Sequence, residues 1–477
     1  MKGKGTAKTD SSASRIEQDS IGEKPVPADA YYGINTVRAL ENFPISGLKA
    51  SPSFIDAFLF IKKAAALTNK ELNLLKPAQA DAIVQACEEI LSGKLRDQFV
   101  VDVFQMGAGT SLHMNVNEVI ANRAAELMGG AKGDTGVVHP NDHVNFGQST
   151  NDVFPTAIRM AARKGFEELI PVVDALSKAL LAKGVEFDDV VKSARTHLQD
   201  AVPIRLGQEF KAYGVAVERS LERIKAAMKE LEELGIGGSA AGTGLNTHPE
   251  YAKRVVSILN KLTGFSFRPA ADLREAMQSQ RPLSEASSAL KNLAVELIRI
   301  SNDIRLLASG PTTGFAEIVL PPVQAGSSIM PGKMNPSMAE MLTMVSFQVI
   351  GNDLAMTLCV QAGQLELNVM MPLMAYDLLF SLDILKNAIR AFTARCVNGI
   401  TADRERCRRY ADMSLSLATA LNPVLGYSAV ALIVKEALAT GKTIVEIVKE
   451  KNLLSPEKIN EILDPQKLTE PGIVKSS

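Results

Sequence analysis

The feature that most constrains this chain is a long heptad repeat of apolar residues in its central region. Its members follow one another at alternating spacings of four and three, and they are Ala286, Leu290, Leu293, Leu297, Ile300, Ile304 and Leu307. Such a repeat places one apolar stripe along a helix, and other helices have to cover that stripe. Ser309-Gly310-Pro311 ends the helix, because glycine adopts the left-handed cap conformation and proline cannot continue the turn.

Other segments repeat this helical periodicity, whereas alternating strand patterns are scarce. A second apolar stripe runs from Leu206 to Leu234, and further helices are predicted over 155–188, 338–351 and 373–395. Long helices with apolar stripes bury them against one another. We therefore predict an all-α fold with a long central helical bundle.

Glycine-rich and polar segments mark the predicted domain boundaries. We expect an N-terminal helical domain over 1–150, a central helix-bundle domain over 151–405 and a small C-terminal domain over 406–477. The first twenty residues are rich in lysine, serine and acidic side chains and have no apolar core segment, so they are interpreted as a loose tail rather than a signal peptide.

Composition and charge exclude several classes of function. The 477 residues are 46% hydrophobic and 22% charged, as is typical of a globular protein. The net charge of −1 creates no overall field that would attract nucleic acid or anionic lipid. No apolar run approaches the roughly 18 residues of a membrane helix, and the four separated cysteines suggest neither a zinc ribbon nor a disulfide framework. We predict a soluble cytoplasmic protein with no membrane or nucleic-acid partner.

Four polar, glycine-containing or histidine-containing segments are harder to explain by packing alone. They cover residues 107–111, 148–152, 195–200 and 326–336, and each is predicted to lead into a helix. The unpaired amides at helix N-termini bind anions, and the Thr, Ser, Asn, His and Lys side chains of these segments add further donors. Each segment alone can be a capped loop, but the four together predict a site for a small anion.

Two patterns that imitate ligand sites are rejected. Gly235-Ile-Gly-Gly-Ser-Ala240 resembles a dinucleotide fingerprint, yet it follows a predicted helix instead of the strand that the fingerprint requires. His139 and His143 have the spacing of a metal pair, but Pro140 lies between them and no carboxylate motif accompanies them. We therefore predict no metal ligands.

The fourth polar segment carries a resemblance to a known family. Gly326-Ser-Ser-Ile-Met-Pro-Gly-Lys-Met-Asn-Pro336 resembles GSSxxPxKxNP, the signature loop of the aspartase/fumarase superfamily. The other three segments match the remaining active-site regions of that superfamily in order and spacing, and the similarity extends from about Gly22 to Ile473. Residues 28–33, 323–326 and 363–369 are more similar to the aspartase branch, the aspartate ammonia-lyases, than to fumarases.

The resemblance implies an activity and an assembly. The reaction would be the reversible deamination of L-aspartate to fumarate and ammonia, without an organic cofactor. Removal of a proton beside a carboxylate creates an enediolate, which requires preorganised donors around its two negative oxygens. The resemblance also implies a homotetramer in which three subunits build each active site.

The same resemblance assigns roles to individual residues. Ser327 matches the general base, and we expect closure of its loop to make it competent; His197 and Lys333 complete the catalytic set. The implied substrate-binding residues are Thr110, Ser149, Thr150 and Ser328 for the β-carboxylate, Asn335 with Lys333 for the α-carboxylate, and Asn151 and Thr196 with His197 for the amino group or α-carboxylate.

Some positions depart from the family pattern, and two other functions stay open. His113 stands where the family usually has Asn; the other departures include Ala194, Gly147 and Thr312. His113 lies near Thr110 in the sequence, so it bears on substrate affinity or preference. The alternatives are a fumarate hydratase or other dicarboxylate lyase using the same loop, and a non-catalytic scaffold related to crystallins of the superfamily. A scaffold has no use for Ser327, Lys333 and His197 together.

Overall fold

The computed structural model describes residues 13–473, and most of them are helical. The helices are α1 (Ile34–Asn42), α2 (Pro52–Glu71), α3 (Pro77–Leu91), α4 (Thr110–Leu127), α5 (Thr150–Glu186), α6 (Leu206–Glu230), α7 (Tyr251–Thr263), α8 (Leu273–Gln278), α9 (Arg281–Leu307), α10 (Ser337–Gln361), α11 (Met371–Arg395), α12 (Arg404–Met413), α13 (Asn422–Leu425), α14 (Tyr427–Thr440), α15 (Ile444–Glu450) and α16 (Pro456–Ile462). The predicted all-α class is confirmed.

The strands of the described residues are short and form four two-stranded sheets. They are β1 (Ser14–Asp19), β2 (Gly22–Pro27), β3 (Val191–Thr196), β4 (Gln199–Arg205), β5 (Glu233–Leu234), β6 (Arg268–Pro269), β7 (Ile318–Val319) and β8 (Thr401–Ala402). The pairs are β1 with β2, β3 with β4 and β7 with β8, all antiparallel, and β5 with β6, which is parallel. No larger sheet occurs between residues 13 and 473.

The heptad repeat forms one continuous helix, as the spacing predicts. The seven apolar residues of the repeat lie on α9 and are at most 7% exposed. The helix ends at Leu307, just before Ser309-Gly310-Pro311. The second stripe forms α6, which ends at Glu230, so Leu234 lies in β5 beyond the helix.

The described residues form two compact units, each assembled from separate stretches of chain. One comprises 13–168, Ile224–Lys291 and Val349–Asp383, and the other Leu169–Arg223, Asn292–Gln348 and 384–473. We call them the first and the second unit. The long helices α5, α6, α9, α10 and α11 contribute to both units. The domain limits at residues 150 and 405 stay a prediction.

In the first unit, α2 packs against α3 and α7. Ser51 starts α2 by accepting a hydrogen bond from the amide of Phe54 on its side chain, and Pro52 suits the first turn because its missing N–H is not needed there. Phe58 and Ile61 of α2 are fully buried. Burial of such side chains supplies the main favourable free energy of folding for this unit.

The N-terminal hairpin β1–β2 also belongs to the first unit. Its first strand, Ser14–Asp19, occupies part of the predicted loose tail, whereas residues 1–12 lie outside the described residues. Arg15 holds the hairpin to the chain that follows, because its guanidinium donates to the carbonyls of Pro27, Ala30 and Tyr32. The amino-acid composition of the first twenty residues does not indicate these long-range hydrogen bonds.

In the second unit, α14, α15 and α16 form a small helical cluster at the end of the chain. Leu421, Ile433, Ile447 and Ile459 are buried at its centre. Thr443 and Glu446 cap α15 reciprocally, since each side chain accepts a hydrogen bond from the other residue's backbone N–H. This cluster lies within the predicted C-terminal segment.

Candidate active site

The first unit brings the beginnings of α4 and α5 together. Gly109, which precedes α4, has φ +90°, and a Cβ there would lie 2.0 Å from the ring of Phe154 on α5. Only glycine fits this contact, and it permits the close approach of the two helix ends. Thr110 therefore begins α4 beside the segment that contains Ser149, Thr150 and Asn151.

The buried carboxylate of Asp152 anchors the start of α5. Its Oδ1 accepts a hydrogen bond from the amide of Ser149 (2.9 Å), and its Oδ2 accepts bonds from the amides of Gly237 and Ser239 (both 3.0 Å). Burial raises the pKa of Asp152 to about 6, and these three amides oppose the rise. The glycine-rich sequence that imitates a dinucleotide fingerprint thus binds a carboxylate of the protein itself.

Ser149 and Asn151 are each oriented by a backbone contact. The amide of Asn151 donates to Ser149 Oγ at 3.2 Å, which leaves the serine's own O–H as a donor. Asn151 Nδ2 donates to the carbonyl of Ala240 at 2.8 Å, and this fixes the orientation of its amide group. Ser149 can therefore donate to an anion, and Asn151 Oδ1 can accept from a cation.

A buried lysine and a buried histidine lie behind Thr150. His113 of α4 is 1% exposed, with Nδ1 2.7 Å from Thr150 Oγ1 and Nε2 2.6 Å from Lys62 Nζ. Lys62 of α2 is fully buried and also contacts Asn145 Oδ1 and Gln148 Oε1, both at 2.9 Å. Thr150 is thus linked through an imidazole to a buried amine.

Burial also shifts the pKa values of this pair. Burial, followed by the charge of Lys62, holds the pKa of His113 well below its ordinary value, so the ring is neutral. Burial lowers the pKa of Lys62 to about 7, and the nearby carboxylate of Asp152 opposes that change. The site therefore contains a neutral imidazole and an amine close to its titration point at neutral pH.

The sequence prediction did not include Lys62, although the sequence holds a sign of it. Lys62 follows Phe58 by four residues and precedes Ala65 by three, so helical periodicity places it on the buried face of α2. A lysine at such a position is rarely fully buried without partners. A lysine on the buried face of α2 is therefore the sequence signal for a polar site.

In the second unit, Thr196 and His197 lie at a tight hairpin turn, not at a helix entry as the sequence predicted. Thr196 of β3 pairs with Gln199 of β4, and the two residues between them, His197 and Leu198, both have positive φ, of 55° and 58°. Asn and Gly are the usual residues in such a turn. Bulky side chains in this conformation carry backbone strain, which is common at functional sites.

A buried ion network holds the base of this hairpin. Arg195 Nη1 lies 3.0 Å from both carboxylate oxygens of Glu317, which is fully buried. Lys192 lies 3.2 Å from Glu317 and 2.9 Å from Glu209. Because unpaired buried charges are costly, the two cations and two anions keep one another in place. The network fixes β3 directly before Thr196.

The signature loop of the second unit is closed at its neck. The amide of Gly326 donates to the carbonyl of Lys333 (2.9 Å), and Asn335 Nδ2 donates to the carbonyl of Gly326 (2.7 Å). A Cβ at Gly326 would lie 2.5 Å from that lysine carbonyl, so glycine is needed there. Asn335 therefore ties the loop, and α10 begins at Ser337, one residue before the predicted helix 338–351.

Within this loop, the hydrogen bonds to the side chain of Ser327 bear most directly on catalysis. Its Oγ accepts hydrogen bonds from the amides of Ile329 (3.2 Å) and Met330 (3.0 Å). Two N–H groups directed at one hydroxyl oxygen stabilise negative charge on it. Ser328 and Lys333 are exposed, so their hydroxyl and ammonium groups are accessible to a ligand.

The structure thus arranges the ten predicted residues in two groups. Thr110, Ser149, Thr150 and Asn151 lie together in the first unit, while Thr196, His197, Ser327, Ser328, Lys333 and Asn335 belong to the second. Among residues 13–473, no group of three or more His, Cys, Asp or Glu side chains is arranged to hold a metal ion.

Comparisons with known proteins identify the family of the chain. The sequence model of the family described as "Lyase" matches residues 22–351, and that of "Fumarase C C-terminus" matches residues 417–470. The chain is 49% identical to an aspartate ammonia-lyase of Bacillus subtilis over 459 residues, which covers 96% of this chain and 97% of the relative. It is also 49% identical to a class II fumarate hydratase of Halobacterium salinarum over 461 residues, 96% of this chain and 98% of the relative.

A solved structure extends the comparison to the fold. A protein titled fumarate lyase:delta crystallin from Brucella melitensis, in a cobalt-bound crystal, superposes with a TM-score of 0.93 at 45% identity. The match covers 96% of this chain and 100% of that one. Both family models and these nearly full-length relatives therefore show that the chain belongs to the aspartase/fumarase superfamily of lyases.

Proposed function

We propose that this chain catalyses the reversible deamination of L-aspartate to fumarate and ammonia. The observation that carries the proposal is the pair of amides directed at Ser327 Oγ, because a serine can act as a base only if its negative form is stabilised. The high identity to an aspartate ammonia-lyase over almost the whole chain supports the choice of substrate.

The proposed reaction begins with a proton on the carbon beside the β-carboxylate of aspartate. Ser327 takes this proton, and the electron pair of the C–H bond passes into the carboxylate to form an enediolate. Thr110, Ser149, Thr150 and Ser328 donate hydrogen bonds to the oxygens on which charge accumulates. Such donors accelerate the step because their bonds become stronger as the charge grows.

The second step expels the amino group as ammonia. The electron pair of the enediolate forms the carbon–carbon double bond of fumarate while the carbon–nitrogen bond of the protonated amino group breaks, and that bond's electron pair stays on the nitrogen of the departing ammonia. Asn151, Thr196 and His197 orient the amino group, and Lys333 with Asn335 holds the α-carboxylate. The orientation of Asn151 supports its role, since its Oδ1 can accept a bond from an ammonium group.

A direct assay separates this proposal from the runner-up. Fumarate should form from L-aspartate, as followed by its ultraviolet absorbance, with malate giving less than about one hundredth of that rate. Fumarate hydratase is the second candidate because of the 49% identity to the Halobacterium salinarum enzyme. Rapid formation of fumarate from malate and none from aspartate would select hydration, and inactivity with both would indicate a scaffold.

We further propose that the protein acts as a homotetramer with active sites shared among three subunits. An apolar stripe along α10 supports an assembly: Met344, Phe347, Leu354 and Leu358 are between 53% and 64% exposed in the single chain. Contiguous exposed apolar surface of this kind usually marks an interface. In soluble oligomers, the chains that cover such a surface are most often identical copies.

Charged residues in this stripe should break the assembly. In the double variant Phe347→Lys, Leu354→Lys, sedimentation is expected to show monomers or dimers instead of tetramers, because each lysine would have to be buried without a partner. Aspartate turnover should fall in parallel if several subunits build each site. Leu432→Lys, at a 68% exposed position on α14, serves as the control and should leave the tetramer intact. An intact tetramer in the double variant would contradict the proposed interface.

The tetramer also bears on where the protein resides. By length and composition α10 is the one described helix apolar enough to cross a membrane, and 39% of its most apolar 18-residue window is buried inside the chain. A core helix of a soluble protein passes the same test, so this is weak evidence for a membrane span. We propose a soluble, cytoplasmic enzyme in which neighbouring subunits cover the remaining apolar surface of α10.

A further inference from the structure

We propose that Lys62 and His113 are positioning residues that keep the hydroxyl hydrogen of Thr150 directed toward the substrate carboxylate. The inference rests on the proposed function for the identity of the substrate. Its structural basis is the hydrogen-bond chain from Lys62 through His113 to Thr150, which lies wholly within the first unit. Neither positioning residue needs to touch the substrate.

The first step concerns the two amide side chains beside Lys62. Asn145 Nδ2 donates to the carbonyl of Gln148 at 3.2 Å, and Gln148 Nε2 donates to the carbonyls of Val144 and Phe146 at 3.2 and 3.3 Å. These contacts orient both amide groups, so that their oxygens face Lys62 Nζ. Lys62 must therefore donate to both of them, since an amide oxygen cannot donate.

The second step fixes the proton on the imidazole. Below its pKa of about 7 Lys62 is an ammonium group with three N–H bonds, and three partners surround its Nζ: the two amide oxygens and His113 Nε2. The ring nitrogen is therefore an acceptor. A neutral imidazole carries one proton, so that proton is on Nδ1. Stacking of the ring on Phe58, with centroids 5.9 Å apart, holds this orientation.

The third step determines where the Thr150 hydroxyl points. The Nδ1–H of His113 donates to Thr150 Oγ1, so the threonine accepts there and its own hydrogen turns elsewhere. In a helix interior that hydrogen would bond the carbonyl four residues earlier. Thr150 is the first residue of α5, and the carbonyl of Phe146 already accepts from Asn69 and Gln148. The hydroxyl hydrogen of Thr150 is therefore available to donate to an anion.

The arrangement matters for the rate because charge grows on the carboxylate during proton removal. If the imidazole proton were on Nε2, Nδ1 would accept the Thr150 hydrogen, and the substrate would face a lone pair instead of a donor. Loss of one preorganised donor to a developing oxyanion typically costs about 10²- to 10³-fold in turnover. A dicarboxylate that does not react, such as succinate, would depend less on this donor.

The test compares substitutions that differ in what they offer to Lys62 and Thr150. Asparagine has one acceptor oxygen and one donor NH₂, so His113→Asn should retain kcat/KM within about threefold. Leucine has neither, and it leaves the Thr150 hydroxyl in place but unoriented, so only part of the effect of losing a donor is expected. His113→Leu should lower kcat/KM for aspartate about 10- to 100-fold, with the inhibition constant of succinate raised no more than about threefold. Lys62→Met should resemble His113→Leu, and Lys63→Met, at the neighbouring lysine that pairs with Glu88, is the matched control.

A spectroscopic measurement tests the inference without relying on activity. Solid-state NMR at about pH 6, below the pKa of Lys62, of the wild-type protein labelled with ¹⁵N-histidine should show His113 protonated at Nδ1, its signal assigned from the spectrum of His113→Asn among five histidines. A proton on Nε2 overturns the proposal even if the variants do not fold. Equal losses of turnover and succinate binding in a folded His113→Leu also overturn it. Inactivity of the wild type toward aspartate refutes the proposed function, whereas the tautomer still decides this inference.

Discussion

The variant Ser327→Ala is expected to fold normally while its kcat for aspartate falls by about two to four orders of magnitude. Alanine removes the oxygen that accepts the amides of Ile329 and Met330, and with it the only proton acceptor that the proposal places beside the reacting carbon. Steady-state kinetics measure the effect, and KM should change much less than kcat because the carboxylate donors remain.

A second serine provides the matched control for this prediction. Ser220 lies on α6, where its hydroxyl donates to the carbonyl of Ala216, and it is distant in sequence from the signature loop. Ser220→Ala should keep wild-type turnover, and both variants should show the thermal unfolding of the parent. Turnover near the wild-type level in Ser327→Ala would remove this serine from the role of base.

The variant Lys333→Met is expected to raise the KM for aspartate by about 10- to 100-fold, the loss typical of one charge-assisted hydrogen bond. Lys333 is exposed and stands at the end of the closed loop, so its ammonium is free to bind a carboxylate when substrate arrives. Methionine is also unbranched and is shorter by one atom, the nitrogen position, so it removes mainly the charge and its donors.

The corresponding control is another exposed lysine of the second unit. Lys435 on α14 is exposed and distant in sequence from every predicted site residue, so Lys435→Met should leave KM unchanged. Raising the salt concentration should weaken aspartate binding to the wild type more than to Lys333→Met, because salt screens an accessible charge. An unchanged KM in Lys333→Met would exclude the lysine as a carboxylate clamp.

The helices were predictable because their apolar spacing has a physical cause that is local in sequence. The stripe on α9 has to be buried whatever its partners are, so its seven residues sufficed to predict the helix, and Ser309-Gly310-Pro311 its end. The hairpin at Thr196 was not predictable in this way. His197 and Leu198 occupy left-handed positions that usually require Asn or Gly, so the sequence contained no turn signal.

The polar groups behind the site were missed for a different reason. Asp152 was recognised as part of a polar segment, but its partners, the amides of Gly237 and Ser239, lie 85 and 87 residues away in sequence. His113 was recognised only as a departure from the family pattern. Such contacts arise from the tertiary fold, and neither periodicity nor motif spacing contains information about them.

The tied neck of the signature loop has a consequence for how catalysis is gated. Since hydrogen bonds join Gly326 to Lys333 and Asn335, we expect the residues between them to move as one flap when the loop closes over substrate. The amides that stabilise Ser327 belong to that flap and travel with it. We therefore expect these hydrogen bonds to persist during closure, so that closure makes the serine competent by expelling water and bringing its oxygen to the reacting carbon.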